Sequence, residues 1–332
     1  MRLREIGIEE WAELSRGCSG LTIFHTPDWL KILETGFSNV KTKLYAITDK
    51  RNTVISLLPV EATRKLFLVI AGSPVPGLFT PYQGPLLVEP SLASLEEVLS
   101  CAFRELKSSY FAISLTPNMK GSFTGKVPAS LENKKTLVID LTGGPGNLWK
   151  SLKAETRNEV RQAEKRGVEI YEPGSLDDWL EDYYGMHEAL YSRQGIKPPG
   201  KPAFYQALWD VLYKKGQLKV IIAKHEGKTI AAGIFPIYND IIYYLDGVSL
   251  QQYQKLRANN LIQWHIILWA ASARLQSYDM LGANIPSVAH FKQGFGGAEV
   301  KYPYFSAIRG IWGRVGYKFY YRYRPLIKKL GM

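Results

Sequence analysis

The string Phe291-Lys292-Gln293-Gly294-Phe295-Gly296-Gly297 sets one lysine between two aromatic rings and ahead of three glycines. A lysine in such a string can stand where backbone approaches a ligand closely, its ammonium neutralising a developing oxyanion in a partly desolvated pocket. The same string also makes an ordinary glycine-rich hairpin, and local chemistry does not choose between the two. Just upstream, Tyr278-Asp279-Met280-Leu281-Gly282-Ala283-Asn284 reads as a short strand running into a turn. A second constellation lies in Asn147–Arg166, where Lys150, Lys153, Arg157 and Arg161 recur at helical spacing and project from one face. Such a stripe repels itself and is better tolerated when it meets an anion, which makes it a candidate phosphate-binding face. Glu155, Glu159 and Glu164 offer partners within the helix, so a solvated, salt-bridged helix is the competing reading.

Other chemistries find little support. Cys18 and Cys101 are far apart and lack metal-binding or disulfide spacing, so buried free thiols are expected and no metal site. The five histidines are scattered, and His290 alone lies beside the lysine string, so no nucleophilic triad is evident. A net charge of +12 and a pI near 9.4 favour polyanionic partners such as tRNA, nucleotide-linked sugars or anionic lipid surfaces.

The elements that must position these residues suggest two domains, as does a length of 332 residues with 46% hydrophobic content. Strands are predicted at Leu44–Ile47, Val54–Val60 and Phe67–Ala71, flanked by helices at Pro27–Thr35 and Leu92–Ser108. The second half repeats this with strands at Val220–Ala223, Ile230–Ile237 and Ile241–Asp246 and a helix from Lys255 to Leu275. The interval from Ala46 to Pro59 equals that from Ala223 to Pro236, a hint of internal duplication. After a strand at Thr136–Asp140, the turn formers Leu141-Thr142-Gly143-Gly144-Pro145-Gly146 mark the domain boundary. The apolar stretch Leu261–Ala271 is too short to span a membrane, and Met1-Arg2-Leu3-Arg4-Glu5 turns polar at once, so a cytoplasmic protein without a transmembrane segment is expected.

The phrases Tyr244-Leu245-Asp246-Gly247, Arg257-Ala258-Asn259-Asn260-Leu261-Ile262-Gln263-Trp264, Tyr278-Asp279-Met280-Leu281-Gly282 and Phe291-Lys292-Gln293-Gly294-Phe295-Gly296-Gly297 follow one another in an order and spacing that closely resemble the FemABX family of peptidoglycan-bridge enzymes. Leu148-Trp149-Lys150, Arg157, Val160-Arg161-Gln162-Ala163-Glu164-Lys165 and Gly167-Val168 resemble the opening of that family's second domain. Phe24-His25-Thr26-Pro27-Asp28-Trp29 and Tyr82-Gln83-Gly84-Pro85-Leu86 resemble its first. The likeness runs from about Phe24 to Tyr304.

That resemblance implies an α/β (α+β) fold of tandem, duplicated acetyltransferase-like (GNAT-like) domains, with mixed, mainly antiparallel sheets flanked by helices. The first domain, 1–143, would be the acceptor side with 306–332 packing back on it; 144–305 would hold the acyl donor and transfer motif, with the acceptor in the cleft between. It implies transfer of an aminoacyl group from charged tRNA to an amine of an anionic peptidoglycan or other cell-envelope precursor, without a tightly bound cofactor. Lys292 would stabilise the tetrahedral oxyanion and Phe291 would shape its pocket. Lys150, Lys153, Arg157, Arg161 and Arg257 would contact phosphate, while Trp29 and Tyr82 would line the acceptor side, although large aromatics also serve as core.

Two departures bear on mechanism. Thr116 stands in Ser114-Leu115-Thr116-Pro117 where the family often has aspartate, so proton removal would fall to the substrate itself, to Asp246 or to Asp279. The stretch Tyr253–Asn260 has no glycine with which to cradle a pyrophosphate, which counts against an acyl-CoA donor. A CoA-dependent N-acyltransferase of a polysaccharide amino sugar and a non-catalytic tRNA- or glycan-binding protein are the alternatives. Residues 314–329 mix tyrosines with lysine and arginine, suiting either a helix docked on the first domain or peripheral contact with a membrane or RNA.

Overall fold

A computed structural model describes residues 1–65, 68–117, 119 and 123–329. The chain forms two compact units, Met1–Lys134 with Lys301–Met332, and Lys135–Val300. The division falls within a strand, upstream of the glycine cluster at 143–146 that the sequence suggests.

In the first unit the order is β1 (Arg2–Ile6), α1 (Ile8–Ser15), α2 (Pro27–Gly36), β2 (Val40–Thr48), β3 (Val54–Lys65), β4 (Leu68–Ser73), β5 (Leu86–Leu87), α3 (Leu95–Glu105) and β6 (Tyr110–Ser114). Next along the chain come β7 (Ser130–Asp140), α4 (Gly144–Ser151), α5 (Ala154–Lys165), β8 (Glu169–Tyr171), α6 (Leu180–Arg193) and α7 (Pro202–Leu212). They are followed by β9 (Leu218–His225), β10 (Lys228–Tyr238), β11 (Ile241–Tyr243), β12 (Asp246–Ser249), α8 (Ala258–Ser272), β13 (Ser277–Asp279) and α9 (Pro286–Gln293). The chain ends in β14 (Ala298–Ile308) and α10 (Gly310–Lys329).

The two units share one pairing scheme. In the first, β1, β2, β3 and β4 are joined antiparallel and β6 lies parallel to β4. In the second, β8, β9, β10 and β11 are joined antiparallel and β13 lies parallel to β11. Two helices follow the first strand and one precedes the parallel strand in both, the architecture the resemblance implies. Each parallel strand gains a last antiparallel neighbour from outside its own run of chain: β14 on β6, β7 on β13. The equal alanine-to-proline intervals lie in the corresponding hairpins but differ in register: Pro59 pairs with Leu44 and Ala46 with Leu57, whereas Pro236 pairs with Leu218 and Ala223 with Ala231.

Local chemistry accounts for the helix ends. Thr26 caps α2, its hydroxyl accepting from the Trp29 amide, with Pro27 pre-set in the first turn. Ser94 and Glu97 close α3 with a reciprocal capping box. α8 is apolar on nearly every side because it lies between β9 and β10 on one flank and α4 and α5 on the other.

Several predicted elements are interrupted. The helix expected over Asn147–Arg166 is broken at Leu152 and Lys153, both extended. Leu152 is buried, and the Lys153 amide donates to the Gly294 carbonyl at 2.9 Å, a tertiary bond that local periodicity cannot reveal. The strand expected to run to Asp246 stops at Tyr243 and resumes as β12, which pairs with β10. The helix expected from Lys255 starts at Ala258, after a 3-10 turn over Gln251–Leu256 and a left-handed Arg257 (φ 59°).

α10 packs within the first unit, Gly316 against Leu68 and Tyr317 stacked on Tyr110 with ring centroids 6.1 Å apart. Phe67 and the side chains of Tyr320, Tyr321, Tyr323, Arg324, Lys328 and Lys329 lie outside the described residues. Among those described, no helix is long and apolar enough to cross a membrane, and no group of three or more acidic, histidine or cysteine residues could hold a metal ion.

Candidate functional site

The second unit opens where β11 and β13 part company. The two strands pair for three residues, Ile241–Tyr243 against Ser277–Asp279, and then the Tyr244 amide makes a last bond to the Asp279 carbonyl at 2.9 Å. Beyond that point lies a cavity of about 370 Å³, lined by Tyr244, Asp246, Gly247, Asn259, Ser287 and Lys292, with Leu245, Val288 and Phe291 as its apolar wall. Asn259 belongs to the first turn of α8, and Ser287 and Val288 to that of α9. Amides in first turns lack intrahelical acceptors, so two positive helix ends border the cavity.

Lys292 sits in the last turn of α9, not in a hairpin. Its ammonium donates to the carbonyl oxygens of Met280 at 2.6 Å, Leu281 at 3.0 Å and Gly282 at 3.0 Å, and lies 5.4 Å from the Tyr244 ring centroid. Burial pushes its pKa down to about 8, with the Asp279 carboxylate working in the opposite direction. Asp279 is held in turn by the Thr136 hydroxyl and by the Leu281 amide at 2.8 Å. All three N–H groups of Lys292 are thus engaged, so it presents its charge to the cavity and would donate to a ligand only by exchanging a carbonyl. Phe291 meets Phe295 edge to face, with centroids 5.3 Å apart.

The glycines after Lys292 serve packing. A methyl group at Gly294 would strike the Thr156 hydroxyl, and one at Gly296, where φ is +83°, would come within 2.5 Å of the Ser151 carbonyl. They let the end of α9 close on the α4–α5 turn, and the expectation that they admit a ligand gives way to that role.

The basic stripe is likewise dispersed by the break at Leu152. Arg157 donates to the carbonyls of Lys150, at 3.2 Å, and Leu152, so its guanidinium caps the end of α4. Arg161 lies over the Trp149 ring, 5.2 Å from its centroid. Lys150 and Lys153 are exposed. Arg257 pairs with Glu159, Nε to Oε1 at 3.3 Å, and the Asn260 amide nitrogen donates to the same carboxylate at 2.9 Å. Glu159 therefore occupies the start of α8, where a phosphate was expected. Trp29 and Tyr82 are buried in the first unit, both edge-on to Phe24, and Trp29 Nε1 donates to the Thr80 hydroxyl at 2.9 Å. With no open ring face they belong to the core, which corrects the acceptor-stacking role. Thr116 is also buried and His290 exposed.

The surroundings of Asp246, which the sequence offers only as a candidate base, were not foreseen. Asp246 lines the cavity and accepts from the Tyr205 hydroxyl and from the Gly247 amide, each at 2.9 Å. His187 Nε2 approaches Asp246 Oδ2 to 3.2 Å but is not aligned for a hydrogen bond, and among the described residues neither of its ring nitrogens makes one. Tyr183 and Tyr191 pack on the same imidazole. Tyr205 lies 41 residues from Asp246 in the sequence, and no spacing rule joins them.

A family model described as an acetyltransferase (GNAT) domain matches residues 150–293, a range that takes in every residue lining the cavity. The UDP-N-acetylmuramoylpentapeptide-lysine N(6)-alanyltransferase of Weissella viridescens is 23% identical over 159 residues, covering 46% of this chain and 45% of that protein. The crystal structure of FemX has a TM-score of 0.63 at 13% identity, over 96% of this chain and 99% of that one. The alanyltransferase match and the shared fold of FemX agree with the FemABX resemblance seen in the sequence. A tandem GNAT protein from the clavulanic acid biosynthesis pathway shares the fold, with a TM-score of 0.57 and 12% identity over 93% of this chain and 98% of the other. The sequence match to the alanyltransferase spans less than half of that enzyme's length, so the similarity carries the fold further than it carries a substrate.

Proposed function

We propose that this chain is a FemABX-type enzyme that forms an amide by direct attack of an acceptor amine on an activated acyl donor, with aminoacyl-tRNA as the donor and an anionic cell-envelope precursor as the acceptor. The observation that carries the reading is the buried Lys292 at a cavity bordered by the first turns of α8 and α9. In the reaction the amine nitrogen bonds to the ester carbonyl carbon and the carbonyl oxygen takes up negative charge. The ester C–O bond then breaks and the departing ribose oxygen accepts the proton the amine gives up. The positive charge of Lys292 and the two helix ends favour the oxyanion, and Phe291 helps keep the site dry. No covalent enzyme intermediate, metal or tightly bound cofactor enters.

Acyl-CoA is the alternative donor. Against it count the glycine-free approach to α8 and the Glu159 carboxylate at that helix start, which would repel a pyrophosphate. A non-catalytic binding role has no use for a lysine whose charge is maintained at a cost in burial. The reading places the protein in the cytoplasm, with α10 as a peripheral contact. Ile311, Val315 and Phe319 are 72%, 51% and 54% exposed one turn apart, beside exposed Arg314, Lys318 and Arg322. That apolar stripe with cationic neighbours suits an anionic bilayer surface.

Donor binding decides between the readings. Charged tRNA, uncharged tRNA and acetyl-CoA are titrated in parallel at two salt concentrations, because basic surfaces bind RNA without specificity. A preference for charged over uncharged tRNA that survives the higher salt supports aminoacyl transfer. Saturable acetyl-CoA binding without that preference moves the proposal to CoA chemistry.

A further inference from the structure

Asp246 is the anomaly of the cavity. The other charged side chain of its wall, Lys292, and the first turns of α8 and α9 are positive and suit an oxyanion or a phosphate. A carboxylate in the same wall works against both. Its placement is nevertheless well supported, since the Tyr205 hydroxyl and the Gly247 amide each hold one of its oxygens at 2.9 Å and a buried imidazole presses against it. Burial and the neighbouring carboxylate together push the Tyr205 hydroxyl's pKa up, so it remains a hydrogen-bond donor. A carboxylate offers about four acceptor positions, and two directed bonds leave capacity toward the cavity that Asp246 lines.

We infer that Asp246 is a receptor for a primary ammonium group, the α-ammonium of the aminoacyl moiety carried by the donor, and that Tyr205 and His187 position it for that task. An α-aminoacyl ester bears a carbonyl that becomes negative on attack and, on the adjoining carbon, a positive ammonium. A cavity wall with one cation and one fixed anion is complementary to that pair. An acetyl group offers nothing to Asp246 and would leave the carboxylate partly desolvated and unmatched, so the residue selects aminoacyl over simple acyl donors. The buried imidazole that lacks aligned partners fits a supporting role, since its Nε2 lies 3.2 Å from the same Oδ2 that accepts from Tyr205 and its ring packs on Tyr183, Tyr191 and Tyr205. The inference rests on the aminoacyl-transfer reading and adds the element that recognises the donor.

The test uses two stable mimics of a charged tRNA end: the alanyl amide of 3′-amino-3′-deoxyadenosine, and the same compound acetylated on its α-nitrogen. Binding of each to the full chain is measured by calorimetry for the wild type, Asp246→Asn and Tyr205→Phe. The wild type is expected to prefer the free-amine compound by about tenfold to a hundredfold, as one charge-assisted hydrogen bond allows. Asp246→Asn should reduce that preference to within about twofold, and Tyr205→Phe should reduce it partway. An Asp246→Asn protein that keeps the preference overturns the inference, as does a wild type with none. If Asp246→Asn does not fold, Tyr205→Phe decides, because it retains the carboxylate and removes an anchor: a diminished preference supports the inference and an unchanged one overturns it. A wild type that binds neither mimic brings down the transfer reading as well, whereas equal binding of both brings down the inference alone.

Discussion

The two units repeat one pairing scheme, yet they treat the start of the corresponding helix in opposite ways. In the first unit α3 is closed by its own side chains: Ser94 accepts from the Glu97 amide, and the Glu97 carboxylate reaches back to Ser94. In the second, α8 has no side-chain cap and its first-turn Asn259 faces the cavity. Buried charge diverges likewise. The first unit buries Glu61, whose pKa desolvation lifts to about 7 although the Val75 amide and Gln83 work to lower it. The second buries Lys292, which three carbonyls surround. One copy of the frame closes its helix start with its own cap, and the other leaves that start to a carboxylate from a neighbouring helix, beside a cavity.

That contrast can be broken most forcefully at Lys292. Replacing it with methionine keeps the volume and removes the charge, and transfer should fall by roughly a hundredfold or more with donor affinity less affected, as measured by single-turnover rates. In the wild type the rate should decline as pH rises through about 8, because the folded-state pKa lies below the ordinary lysine value and the charged form is the working one. A rate that stays level to pH 9.5 would show that this ammonium does not act by its charge.

Glu61 sharpens the other side. Its folded pKa is raised, so the folded state holds a proton more tightly than the unfolded one between about pH 4.5 and 7, and stability is lost as pH rises across that window. Glu61→Gln should therefore be more stable than the wild type at pH 8, by up to roughly 3 kcal/mol, with the advantage shrinking toward pH 5. Denaturant midpoints at the two pH values measure it, and transfer rates should not change. The smallest effect is expected at Ser94. Ser94→Ala should cost about 1 kcal/mol of stability and leave donor binding as it was, since the helix end it uncaps serves no ligand.

Much of the frame was legible because it is written locally. The hairpins β2–β3 and β9–β10 announce themselves by β-branched runs and turn residues, and α2 by Thr26 and Pro27. Lys292 was legible as a residue, though its place in a helix was not: the three glycines that suggested a hairpin are shaped by contacts with Thr156, Ser151 and the strand at 137–139, far off in the sequence. The basic stripe failed for the same reason, since helical spacing is blind to a buried Leu152 and to a Lys153 amide bound to Gly294. Asp246 could be seen, but the His187 and Tyr205 that give it meaning come from α6 and α7, and nothing local pairs them with a residue of β12.

The crossed loan of closing strands has a consequence for synthesis. β6 waits for β14, so the first unit to leave the ribosome cannot complete its sheet until residues near Lys301 have been made. Through that interval β6 offers an unpaired edge, the kind of surface that recruits strands from other chains. A polypeptide cut short before β14 should thus aggregate through its amino-terminal half, even though every residue that lines the cavity is present in it.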